Sequence, residues 1–99
     1  MRYEISEKAE QDLINIETYL LEEWNIEILE DFFEKFQKAI TLLLEKKAIF
    51  QKYEETHFHK FLLTKHNSII YYYGHDVLYI QRIIQNFQDP DDNQKSLKS

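Results

Sequence analysis

The hydrophobic period of this 99-residue chain changes once, near residue 50, and that change limits the fold more than any other feature. Before it, apolar residues recur every three or four positions, which is typical of amphipathic helices. After it come three short runs rich in β-branched and aromatic residues, HFHKFLLT, SIIYYY and VLYIQRIIQ. These runs predict strands. A chain with helices first and strands afterwards belongs to the α+β class.

The first half predicts two helices that fold back on each other. An apolar stripe over residues 7–23 predicts the first helix, and the preceding Ser6 can cap it. A broader stripe predicts a second helix that Asn25 caps and that ends near Lys47. Because only a few residues join the two, we expect an antiparallel hairpin. Phe32, Phe33 and Phe36 cover more than one narrow face, so one of them is a candidate contact in a dimer or with a partner protein.

The remaining segments predict a sheet. MRYEI alternates apolar and polar side chains as a short strand does. We expect Asn67 and Gly74 to adopt left-handed turns between the later strands, which makes those strands an antiparallel meander. The predicted order is β-α-α-β-β-β, with the helix hairpin on one face of a small antiparallel sheet. The opposite face, or a groove along it, is then available for function.

Composition narrows the classes of protein. Residues 1–56 hold 7 Lys or Arg against 14 Asp or Glu, a net charge of −7, whereas residues 57–99 carry +1. This acidity argues against strong non-specific nucleic-acid binding, which depends on phosphate neutralisation. The absence of cysteine favours a reducing, cytoplasmic location. No apolar run approaches the roughly 18 residues of a membrane-spanning helix. We expect one domain over residues 1–90 and a polar, disordered tail over residues 91–99.

Few side chains in the sequence are suited to catalysis or to metal binding. Lys60 and Arg82 could hold the negative charge that develops on phosphate during RNA cleavage, or they could simply be strand residues that reach solvent. His57 and His59 are two positions apart on a strand, so we expect them to share a face. That spacing suits a metal, but no third ligand is evident, and two surface histidines are the simpler interpretation. We therefore predict no metal and no cofactor.

The three consecutive tyrosines must divide between the faces of the sheet. Tyr71 and Tyr73 point to one side and Tyr72 to the other. One side is core, and the other could stack bases or pack against a partner helix. With Lys60 and Arg82, the outward members form the predicted working surface.

Two segments carry a family resemblance. YEISEKAEQDLINIETYLLEEW is similar to a strand followed by an "A..DL..I..Y" helix, and SIIYYYGHDVLYIQRIIQNFQDP is similar to an "iiY…d.i.I.ri…r.dP" close. In order and spacing these segments resemble the RelE/ParE superfamily, the toxins of type II toxin–antitoxin systems. The resemblance covers about residues 2–90. It implies a RelE/ParE-like fold and a growth inhibitor that a cognate antitoxin neutralises.

The resemblance implies two alternative targets. RelE-like members cut mRNA on the ribosome without a metal, whereas ParE-like members poison DNA gyrase and need no nuclease site. Here Gln85, Asn86 and Phe87 stand where the nucleases place His, Tyr or Arg, and Lys60 and Arg82 are the remaining catalytic candidates. Within the resemblance, these departures favour the ParE-like, non-nuclease branch, and the resemblance implies a role in plasmid stabilisation.

The predicted partner surface follows from both arguments. Its residues are the outward strand side chains and the end of the last strand: Lys60, Tyr71, Tyr73, Arg82, Gln85, Asn86 and Phe87. A homodimer and a heterotetramer with the antitoxin both remain open. A third hypothesis is a degenerate, non-toxic family member that acts only as a protein-binding module.

Overall fold

The computed structural model describes residues 1–46, 51–52 and 57–86, and the α+β class and the predicted element order are confirmed within these ranges. A further two-residue strand precedes the three predicted strands. The elements are β1 Arg2–Ile5, α1 Glu7–Glu23, α2 Ile26–Leu44, β2 Gln51–Lys52, β3 His59–Leu62, β4 Asn67–Gly74 and β5 Val77–Gln85. The predicted tail at 91–99 and Phe87 lie outside the described residues.

Both predicted helix caps are present. The Ser6 hydroxyl accepts a hydrogen bond from the Ala9 N–H at 3.0 Å, and the Asn25 side chain accepts one from the Ile28 N–H at 3.0 Å. Each side chain satisfies an N–H that the first helical turn leaves without a partner. The second helix ends at Leu44, before the predicted Lys47, because Lys46 adopts a left-handed conformation with φ 56°.

The sheet is mixed rather than wholly antiparallel. Its strand order is β1-β5-β4-β3-β2, and β1 lies parallel to β5, with Arg2 opposite Val77 and Ile5 opposite Ile80. The expectation of an antiparallel sheet is correct for the other pairs and wrong for this one. Parallel neighbours need a long crossover connection, and the helix hairpin is part of the chain that joins β1 to β5.

The turns use different residues from those predicted. In the β4–β5 turn the left-handed residues are His75, with φ 50°, and Asp76, with φ 62°, whereas Gly74 is the last paired residue of β4. Two consecutive left-handed residues match the twist of a two-residue hairpin. Asn67 is likewise the first residue of β4, and its carbonyl accepts from the N–H groups of Leu63 and Thr64 at 3.0 and 3.1 Å.

The helices cover one face of the sheet, as predicted. The core between the two layers contains α1, α2 and alternate residues of β4 and β5. Its buried members are Ala9, Ile16, Phe32, Phe36, Ala39, Ile40, Leu43, Leu63, Ile69, Tyr71, Leu78, Ile80 and Ile83. Phe32 and Phe36 are both buried, and Phe33 packs partly buried against the same core.

The opposite face of the sheet is also closed at its centre. Ile70 keeps 3% of its surface exposed and the paired Lys60 keeps 6%. Toward the β4–β5 turn, Tyr72 and Tyr79 stack with ring centroids 4.7 Å apart. The expectation of a broadly open face is therefore wrong at this centre, and the accessible surface lies elsewhere.

Candidate functional site

A partly buried ion pair joins the first helix to the last strand. The Asp12 carboxylate accepts hydrogen bonds from the Arg82 guanidinium at 2.8 and 3.0 Å and from the Ile83 N–H at 2.9 Å. The Asp12 side chain is only 14% exposed, against 43% for Arg82. Three charge-assisted hydrogen bonds fix the strand against the helix and use both carboxylate oxygens.

The end of β1 explains why this carboxylate is needed. The Ser6 N–H donates to the Ile80 carbonyl at 3.0 Å, and the Ser6 hydroxyl donates to the Gln81 carbonyl at 2.7 Å. Beyond this point the chain turns into α1, so β1 pairs with Val77–Ile80 only. Asp12 then supplies an acceptor to the Ile83 N–H where a strand would otherwise do so.

A β-bulge places Arg82 beside the helix. In the β4–β5 ladder Tyr71 lies opposite Ile80 while Ile70 lies opposite Arg82, so Gln81 is an extra residue. A bulge of this kind bends the strand and redirects its side chains. Asp12 and Arg82 are 70 positions apart in sequence, and the bulge is part of what brings them together.

A groove opens beside this ion pair. It has a volume of about 780 Å³ and lies between α1, the start of α2, the start of β4 and the end of β5. Tyr19, Leu20, Trp24 and Ile28 form its helical wall, and the segment Arg82–Gln85 forms the opposite wall. We refer to that segment as the β5 edge.

The helical wall of the groove is unusually apolar for a solvent-accessible surface. Trp24 is 62% exposed, Tyr19 53% and Ile28 42%. Aromatic side chains bury a large area when a partner covers them, and exposed clusters of this kind mark interaction sites. The groove therefore has the character of a protein-binding surface.

Lys60 and Arg82 do not form a common site. Lys60 in β3 and Arg82 in β5 both lie opposite Ile70, so β4 separates them. The Arg82 guanidinium is also bound by the Asp12 carboxylate. Lys60 is buried at the centre of the sheet. The structure thus does not bring together the two cations that the sequence offered for phosphate chemistry.

The predicted tyrosine surface is wrong for Tyr71, because this side chain has no exposed area and belongs to the helix-side core. Burial, and secondarily the neighbouring Tyr73, raises the Tyr71 pKa to about 12. Its buried hydroxyl has no hydrogen-bond partner among the described residues. Burial also raises the pKa of Tyr73, whose hydroxyl donates to the Leu43 carbonyl at 2.6 Å.

Two further predicted residues lie at the end of β5, with different roles. Gln85 lines the groove, as the prediction of a partner contact requires. Asn86 is buried, accepts a hydrogen bond from the Ser68 hydroxyl at 2.5 Å and donates to the Lys65 carbonyl at 2.8 Å. Asn86 therefore ties the strand end to the β3–β4 turn.

The two histidines whose spacing suits a metal, His57 and His59, lie on opposite faces. The ring of His59 contacts Tyr71, with centroids 5.5 Å apart, whereas the ring of His57 contacts Tyr72 at 5.6 Å. Strand β3 begins only at His59, so the alternation that placed both on one face does not extend to His57. Among the described residues, no cluster of three metal-ligating side chains occurs.

The sequence argument missed Asp12, Trp24 and Ile28 as site residues. Asp12, Tyr19 and Trp24 belong to the family-like motif, but they were assigned no role in binding. The sequence did contain a sign of this surface. Tyr19 and Trp24 are aromatic residues that lie outside the apolar stripe by which α1 packs on the core. Which of these residues line a groove depends on the strand that packs opposite them.

Comparisons with known proteins identify the architecture. No family model matches the sequence, and no curated protein matches it. Among solved structures, a chain of one described as "Chromosomal ParDE TA system from P. aeruginosa" has a TM-score of 0.72 and 16% identity. The match covers 86% of this chain and 95% of that chain. The predicted RelE/ParE-like architecture is therefore confirmed at the level of the fold. Among the described helices, none is long and apolar enough to cross a membrane.

Proposed function

We propose that this chain is the toxin of a type II toxin–antitoxin system, a cytoplasmic growth inhibitor that a cognate antitoxin neutralises. The observation that carries the proposal is the fold, which is shared over most of both chains with a member of a ParDE system. The exposed apolar groove beside β5 supports a protein partner at that position. The proposed toxin domain spans residues 1–90.

Within this proposal, the target is DNA gyrase rather than mRNA. RNA cleavage through the 2′-hydroxyl needs a general base, a general acid and cations aligned on one phosphate. Arg82 is engaged by Asp12, and β4 separates it from the buried Lys60. This arrangement disfavours a RelE-like nuclease and supports the ParE-like alternative, for which no nuclease site is needed.

Two assays on the purified chain test the target. We expect inhibition of gyrase supercoiling and no ribosome-dependent cleavage of mRNA. Cleavage that disappears in Lys60→Ala or Arg82→Ala would establish the nuclease alternative instead. Glu10→Ala, a change of an exposed α1 side chain, is the matched control because it leaves both cations in place.

Induced expression in a bacterial host tests toxicity itself. We expect growth arrest in the absence of an antitoxin, with recovery when the antitoxin is supplied. Normal growth with confirmed soluble protein would contradict the toxin proposal and favour the non-toxic binding module. The same experiment in a plasmid-loss format tests the role in plasmid stabilisation.

A further inference from the structure

We infer that two copies of this chain associate through their β1 strands, which pair antiparallel across a two-fold axis at Tyr3. The inference goes beyond the proposed function, because it holds for a toxic and for a non-toxic chain alike. Three observations carry it: the exposure of β1 at the end of the sheet, the direction of its backbone groups, and a charge pattern that is complementary to itself.

Strand β1 is an exposed edge of the sheet. Among the described strands only β5 pairs with it, and every residue from Met1 to Glu4 is exposed. Tyr3 keeps 41% of its surface exposed, so the helix layer does not cover the edge at this residue. Proteins commonly protect such an edge with a proline, a bulge or charges that repel a second strand. Strand β1 has no proline, and its four residues pair with β5 in an unbroken register.

The backbone groups at the open side of β1 belong to Tyr3. The Ser6 N–H donates to the Ile80 carbonyl at 3.0 Å, so the backbone of Ser6 faces β5. A strand residue directs its N–H and its C=O to the same side, and every second residue repeats that direction. The backbone groups of Glu4 and Arg2 therefore also face β5. The N–H and the C=O of Tyr3 point to the opposite side, where a second strand can pair.

These directions select one register for two antiparallel β1 strands. Tyr3 lies opposite the Tyr3 of the second copy, and the two residues exchange a pair of hydrogen bonds. Met1 then lies opposite Ile5, and Arg2 lies opposite Glu4. A register centred on Arg2 or on Glu4 fails, because the backbone groups of these residues are turned to β5. The interface is isologous, so every contact occurs twice.

In this register the charges of β1 are complementary to those of a second β1. Arg2 and Glu4 share a face of the sheet, and within one chain they form an exposed ion pair at 2.6 Å. Between two chains each Arg2 faces a Glu4 at a non-hydrogen-bonded position, where side chains approach most closely. Exposed ion pairs add little free energy, so they mainly select the register. Because so short a strand buries less than about 1,200 Å², the dimer belongs to the weak, transient class.

Sedimentation equilibrium of the full-length protein, with any purification tag at the C-terminus, tests the association. We expect a monomer–dimer equilibrium with a Kd on the order of 100 μM. Arg2→Glu brings like charges opposite each other at both pairs and should weaken the dimer by about tenfold. Glu4→Arg does the same with the opposite sign and should weaken it by about as much.

Restored charge complementarity distinguishes a lost contact from a damaged fold. An equimolar mixture of the Arg2→Glu and Glu4→Arg variants has opposite charges at both pairs, so a heterodimer should form with about the parent affinity. The double variant Arg2→Glu, Glu4→Arg should recover the parent affinity by itself. The control is Lys35→Glu, which changes the net charge as Arg2→Glu does but lies exposed on α2, and it should leave the dimer unchanged.

Amide hydrogen exchange at low and high protein concentration locates the interface. The Tyr3 N–H should gain protection as the dimer forms, whereas the Glu4 N–H, which faces β5, should not change. A monomer at every concentration, a dimer that both charge reversals leave intact, a mixture that does not restore association, or a Tyr3 N–H that exchanges equally at both concentrations would overturn the inference. None of these measurements depends on growth inhibition, so the toxin proposal stands or falls separately.

Discussion

The two halves of strand β5 share one backbone and have opposite surroundings. Val77–Ile80 lies between β1 and β4, and Leu78 and Ile80 are buried in the core. The β5 edge has β4 on one side and the groove on the other. The bulge at Gln81 separates the two halves. A single strand thus contributes both a largely buried part of the sheet and an accessible part that suits a partner.

The comparison shows where this small domain obtains stability and where it leaves surface available. Burial of apolar side chains supplies the main driving force for folding, and the first half of β5 provides it. The second half is held by a carboxylate from α1 instead of a strand, which satisfies one N–H without covering the groove. Fixing the edge by a side chain keeps it ordered and accessible at once.

The strongest test of the comparison removes side-chain volume from each half. Leu78→Ala should lower the free energy of unfolding by about 3 kcal/mol, because it leaves a cavity in a fully buried site. Ile84→Ala, at a partly exposed position that lines the groove, should cost about 1 kcal/mol. Chemical denaturation followed by circular dichroism measures both. Equal losses would show that the two halves of β5 are equally packed.

The next test removes the carboxylate that holds the β5 edge. Asp12→Ala should lower the free energy of unfolding by about 2 kcal/mol, a value reduced by the solvent exposure of Arg82. Asp12→Asn should cost less, because its amide oxygen can still accept from the Ile83 N–H.

Amide hydrogen exchange locates this effect within the strand. In Asp12→Ala the Ile83 N–H should exchange faster, while the amides of Val77–Ile80 keep most of their protection. Glu10→Ala is the control on the same helix. A uniform loss of protection along β5 would mean that Asp12 supports the whole fold rather than the β5 edge.

The smallest expected effects concern the two tyrosines of β4 that pair with the buried half of β5. Tyr73→Phe should lower the free energy of unfolding by about 1 kcal/mol, because it removes the hydrogen bond to the Leu43 carbonyl. Tyr71→Phe removes a buried hydroxyl that has no partner in the part of the chain that the structure describes, so it should leave stability unchanged or raise it by about 0.5 kcal/mol. Thermal denaturation of both variants measures these effects. A larger loss of stability in Tyr71→Phe than in Tyr73→Phe would show that the Tyr71 hydroxyl makes a stabilising contact.

The raised pKa of Tyr71 makes the stability of the folded chain depend on pH. Its pKa is about 12 in the folded chain against an ordinary 10.0, so folding favours the protonated form. The stability linked to Tyr71 is complete below pH 10 and is lost as the pH rises toward 12. Tyr71→Phe should therefore lose less stability over this interval than the parent chain, as measured by denaturation at each pH.

Much of the fold could be predicted from local pattern. The helix over Glu7–Glu23 has the predicted bounds, and Ser6 and Asn25 cap their helices as predicted, because caps and stripes depend on neighbours within one or two turns. The turn residues were predicted less well. Gly74 tolerates a left-handed conformation, but the strand register gave that conformation to His75 and Asp76.

The candidate site was less predictable than the fold. Gln85 lines the groove and its role in partner binding stays a prediction, whereas Tyr71 is buried and β4 separates Lys60 from Arg82. Alternation along a strand tells which residues share a face and cannot tell which face the helices cover. Phe87, the last predicted partner residue, lies outside the described residues and stays a prediction.

The amino-acid sequence alone determined the α+β class, the helix hairpin, the strand segments and the acidity of the first half, because each depends on composition or on residues close along the chain. Only the tertiary structure decided that β1 lies parallel to β5, that Asp12 meets Arg82 and that a groove opens beside the β5 edge. These features join residues about 70 positions apart, and the packing of the layers brings them into contact. No local pattern contains that information.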